Sequence, residues 1–169
     1  MTAPPRGFTL MEVMIVLLLV GIITSFAVLS VGGGPRQRLA EEGQRLAALV
    51  ELHQQEAILS GEIRGIQFGR TGYAILIQDD KGQWRAPTAA ATLTRHALPE
   101  DITLSLWIEG QSVDLKTAGS LPQVVLLSSG ETTEFVAVLG LVDPPALDAP
   151  LYRVAGDTLG RLKTSEVER

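Results

Sequence analysis

Between Val13 and Val31 the chain carries 19 consecutive residues without a charge, most of them Leu, Ile, Val, Met and Phe. Extended back to Phe8 the run has 24 residues, and a helix of that length reaches roughly 36 Å, more than the ~30 Å hydrocarbon core of a bilayer. A helix in the core of a small domain buries one stripe and wets the rest. This one is apolar on all sides, and in a chain of 169 residues nothing else is large enough to cover it. A cleaved secretory signal has an apolar stretch of ~7–15 residues; this stretch is longer and contains Glu12. In favour of such a signal, Arg6 supplies a small positive flank and Ser30-Val31-Gly32 offers small residues near a cut site. A signal, a plain anchor and a more specialised membrane helix therefore all stay open on the pattern alone.

The rest of the chain has a different character. Of 14 Lys and Arg and 19 Asp and Glu, only Arg6 and Glu12 precede Val31, which leaves 13 basic and 18 acidic residues after it. A surplus of acid gives no electrostatic reason to seek nucleic-acid phosphate, so no nucleic-acid partner is expected. The absence of cysteine excludes a disulfide framework, a thiolate metal site and a cysteine nucleophile. His53 and His96 have no His or acid at metal-like spacing, and read as a helix-face and a loop residue. Asp79-Asp80 precedes Lys81-Gly82, and Asp143 and Asp148 flank Pro144-Pro145, so these carboxylates read as turn and loop residues. Ser128, Ser129 and Lys116 lack any surrounding nucleophile-elbow, phosphate-loop or dinucleotide motif. Trp84 and Trp107 read as core or sheet-face residues. No enzyme activity, cofactor or metal site is expected.

Gly32-Gly33-Gly34-Pro35 interrupts the helical pattern with the weakest helix formers and reads as a joint. From Arg36 helix resumes, with Leu39, Leu46, Val50, His53 and Ala57 on one face and Leu49 beside them. Glu41, Glu42, Arg45, Gln54 and Gln55 fall elsewhere, and Gly61 is placed to end the helix. Short β-forming runs follow: Ile63 to Phe68, Tyr73 to Gln78, Ile102 to Ile108, Val124 to Leu127, Phe135 to Leu139 and Leu151 to Val154. Turn residues between them, such as Gly69-Arg70-Thr71-Gly72 and Ser129-Gly130-Glu131, predict antiparallel pairing. Ala86 to Pro99 reads as a long surface loop. A helix packed on antiparallel sheet makes the expected class α+β.

Glu12 decides among the readings of the apolar run, because a carboxylate inside an apolar helix costs a few kcal/mol unless it is paired, neutralised or drawn to the interface. Its surroundings are Arg6-Gly7-Phe8-Thr9-Leu10-Met11-Glu12-Val13, continuous with the apolar helix. This stretch resembles the processing site of type IV pilins and type II secretion pseudopilins. The resemblance implies a leader ending at Gly7, cleaved by a prepilin peptidase of the inner membrane, and a mature chain beginning at N-methylated Phe8. It also implies that Glu12, the fifth mature residue, meets the amine of a neighbouring subunit and sets the assembly register. The divisions are then a leader (residues 1–7), a transmembrane helix (8–31), a Gly/Pro joint (32–35) and a periplasmic α+β domain (36–169) of pilin-like fold.

Two further stretches narrow the likeness. Val124 to Phe135, an apolar strand followed by Ser129-Gly130-Glu131 and a second strand, resembles the late hairpin of the minor pseudopilin H family. Tyr152 to Arg161 resembles that family's last hairpin, and Leu162 to Arg169 lacks the acidic calcium loop of major pseudopilins. The resemblance implies a single-pass protein of the bacterial inner membrane, N-terminus cytoplasmic, that joins the other minor pseudopilins of the tip complex and the major pseudopilin in exporting folded proteins. A minor type IV pilin for adhesion, motility or DNA uptake and a signal-anchored periplasmic binding domain are the alternatives.

Overall fold

The computed structural model describes residues 10–31, 34–87, 94–117, 119–144 and 149–167, with side chains of the first helix given as far as Thr24. It divides into two units, Met1–Gly34 and Pro35–Arg169. The first contains helix α1, Leu10–Val31. Its one described hydroxyl, Thr24, is satisfied within the helix by donating to the Val20 carbonyl at 2.6 Å.

Helix α2, Pro35–Ser60, opens the second unit. Pro35 was expected in the joint but is the first helical residue, where a missing N–H costs nothing. Its buried face is Leu39, Gly43, Leu46, Leu49, Val50, His53 and Ala57, which is the expected set with Gly43 added. Gly61 ends the helix at φ 71°, its N–H donating to the Ala57 carbonyl at 3.0 Å.

Ten strands follow. Sheet one joins β1 (Arg64–Gly69), β2 (Gly72–Gln78), β3 (Trp84–Arg85), β4 (Arg95–Ala97) and β7 (Val124–Leu126) in the order β3-β2-β1-β7, with β4 also beside β2. Sheet two joins β5 (Ile102–Ile108), β6 (Gln111–Val113), β8 (Phe135–Leu141), β9 (Leu151–Gly156) and β10 (Leu162–Val167) in the order β10-β9-β8-β5-β6. Every pairing is antiparallel.

Alternate strand residues face a common core with α2. Phe68, Tyr73 and Ile75 enter from sheet one, and Leu104, Leu106, Phe135, Leu139 and Val154 from sheet two. The Phe68 ring lies 6.1 Å from Tyr73 and 6.3 Å from Phe135, centroid to centroid, so aromatic packing joins the sheets across the core. The other face of sheet two carries rows set by register. Trp107, Val136, Ala155 and Lys163 pair in sequence, as do Ser105, Val138, Arg153 and Ser165.

Three expectations are corrected. The loop read from Ala86 to Pro99 contains β4, whose Arg-His-Ala run has little strand preference of its own and is drawn in by pairing Tyr73 with His96; residues 88–93 lie outside the described residues. Next, the turn at Ser129-Gly130-Glu131 folds only a short arm back on β7, with Leu127 N–H donating to the Glu131 carbonyl at 2.9 Å, Leu126 bridging Thr132 and Thr133 N–H donating to the Val125 carbonyl at 3.0 Å; β8, which follows, lies in the other sheet. Between them Thr133 Oγ1 accepts from Val125 N–H at 3.1 Å, while Thr132 Oγ1 donates to the Asp157 carbonyl at 2.8 Å. One threonine thus binds each sheet, and the chain turns a corner. Last, β6 and β10 were not among the β-forming runs, although the last hairpin, expected by resemblance, is present as β9 and β10; the β10 run Leu-Lys-Thr-Ser-Glu-Val is too polar to signal a strand and is held as the partner of β9.

Candidate functional site

The described side chains of α1, from Leu10 to Thr24, are all exposed in the single chain. Leu10 is 83% exposed and Ile23 65%, values that water alone does not sustain over so long a helix. An apolar cylinder of this kind requires lipid or other helices around it. Counted over the described side chains, which stop at Thr24, no helix is long and apolar enough to cross a membrane. Taken over its whole sequence α1 has 22 residues, a rise of about 33 Å against ~30 Å of hydrocarbon.

Glu12 lies in the first turn of α1, where the positive end of the helix dipole favours a carboxylate. Gly7 and Phe8, the expected processing junction, lie outside the described residues, as do Gly32 and Gly33 of the joint. Gly34 is exposed and irregular, immediately before α2.

Polar contacts between α2 and the sheets were missed in the sequence. Arg64, 8% exposed at the start of β1, donates from Nη1 to His53 Nδ1 at 2.9 Å. His53 Nδ1 also lies 3.0 Å from Glu56 Oε2. The same guanidinium pairs with Glu56, and with Glu62 at 3.2 Å. Near the middle of α2, His96 Nε2 meets Glu42 Oε2 at 2.6 Å, and the His96 ring lies 5.3 Å from that of Tyr73. Burial first, and then the Glu42 charge, push the Tyr73 phenol well above the ordinary tyrosine range. Its hydroxyl has no hydrogen-bond partner among the described residues.

Both histidines, read as standing alone, are thus paired with carboxylates on α2. The legible signal was His53 with Glu56 three positions on, along one helix face. Glu42 and Gln54 were expected to point elsewhere. Glu42 instead reaches β4, and Gln54 Nε2 donates to the Gly130 carbonyl at 2.9 Å. Ion pairs fasten the other end of α2 to sheet two, with Arg38 to Asp101 at 2.7 Å and Arg36 to Glu166 at 4.0 Å. These contacts fix a helix on a β-sandwich. Among the described residues no group of three His, Asp or Glu is placed to hold a metal ion.

Residues 4–28 match the prokaryotic N-terminal methylation motif. Type II secretion system protein H of Pseudomonas aeruginosa is 35% identical over 141 residues, 77% of this chain and 80% of its own length. The protein of the same name from Aeromonas hydrophila is 29% identical over 174 residues, 96% of this chain and 94% of its own. Among solved structures, the minor pseudopilin EpsH from the type II secretion system of Vibrio cholerae aligns with a TM-score of 0.64 at 21% identity, over 76% of this chain and 94% of that one. The solution structure of Escherichia coli GspH gives 0.60 at 21%, over 77% and 89%. These structures share the fold.

A long apolar N-terminal helix bearing a methylation motif, followed by a helix on antiparallel sheets, defines a membrane-anchored protein of pilin-like α+β fold. The chain belongs to the type II secretion system protein H family, the H-type minor pseudopilins of that system. Its relatives are structural pseudopilins.

Proposed function

We propose that this chain is a minor pseudopilin that assembles near the tip of the periplasmic pseudopilus and helps drive folded proteins across the outer membrane. Residues 1–7 are a leader removed by prepilin peptidase, and residues 8–31 hold the mature chain in the inner membrane with its N-terminus cytoplasmic and residues 36–169 in the periplasm. The observation that carries the reading is the Gly7-Phe8 junction with Glu12 close behind, at the head of an exposed apolar helix and inside the matched motif.

The chemistry follows from those residues. Cleavage frees an α-amine on Phe8, whose N-methylated form keeps a positive charge at neutral pH. A charged amine and a carboxylate are each costly in an apolar filament core, and pairing Glu12 of one subunit with the amine of its neighbour offsets both costs. A displaced register leaves each charge unpaired, so the pair acts as a gauge of axial stagger even where its net stabilisation is small. Gly32, Gly33 and Gly34 form the joint between membrane helix and periplasmic domain. The partners are the other minor pseudopilins, the major pseudopilin below them and the peptidase.

Complementation tests this reading. In a bacterium from which this chain has been deleted, the wild-type chain restores export, whereas Glu12→Leu gives a processed, membrane-inserted protein that does not. Full export by Glu12→Leu would remove the register role.

A further inference from the structure

No further inference is drawn: the strongest candidate, the exposed apolar side chains of Ile58 and Leu59 at the end of α2, is an unpartnered surface patch, and nothing in the structure shows what covers it.

Discussion

Gly43→Ala sets two opposed effects against each other. Glycine inside a helix costs roughly 0.5–1 kcal/mol relative to alanine, so by backbone preference alone the substitution stabilises α2. Gly43, however, faces the Tyr152 ring on β9. A Cβ there would lie 3.1 Å from Tyr152 Cγ and well inside the van der Waals envelopes of Cδ1 and Cε1. The ring has nowhere to go, since Tyr152 is 6% exposed and its backbone pairs with Leu139 on one side and Glu166 on the other. Overpacking of this kind costs about 1–3 kcal/mol, so the net change is a loss of about 1–2 kcal/mol. For a domain of this size that lowers Tm by about 3–10 °C. Thermal and urea unfolding of residues 35–169, followed by circular dichroism, reads the effect. In a Tyr152→Val background the collision is gone and Gly43→Ala recovers its helical gain, a non-additivity expected of residues in contact. A Tm unchanged or raised by Gly43→Ala alone would refute the reasoning.

Tyr73→Phe removes a buried hydroxyl without a partner among the described residues and keeps the ring contacts, so the urea midpoint rises by the equivalent of about 1 kcal/mol. The raised Tyr73 pKa also sets a pH dependence: above about pH 10 the unfolded chain releases a proton that the folded one retains, so stability falls as pH rises through that range. In Tyr73→Phe that part of the alkaline loss disappears, which unfolding midpoints at neutral and alkaline pH would show. Arg64→Ala leaves two carboxylates and His53 without their shared cation and costs about 3 kcal/mol, more than Glu56→Ala, whose carboxylate is 42% exposed. Equal urea midpoints for the two variants would contradict that ranking.

The outline of the fold was legible because it rests on periodicity. The buried stripe of α2 follows helical spacing, Gly61 ends it for steric reasons, and the runs that begin at Ile63, Tyr73, Ile102, Phe135 and Leu151 each contain most or all of a strand. Local signals failed where distant pairing decides. Arg-His-Ala in β4 and the polar β10 become strands because β2 and β9 offer them partners. The Ser129-Gly130-Glu131 turn is real, but no local signal tells a hairpin from a corner between sheets; Thr132 and Thr133 settle that through bonds to residues far along the chain. The pairing of His96 with Glu42 spans 54 positions, beyond any spacing rule. The N-terminal motif was legible for the opposite reason, because it is contiguous in sequence, within residues 4–28. Family membership favours the secretion system over the pilin and binding-domain alternatives.

The central claim is that the apolar helix of this chain is a processed pseudopilin segment that enters a filament core. Intact mass and N-terminal analysis of protein purified from native membranes, beside a Gly7→Ala control, tests it most directly. The expected product is a mature chain beginning at N-methylated Phe8, with processing lost in the control. A chain that retains Met1 in a bacterium with an active prepilin peptidase, or one cut near Gly32, would contradict it.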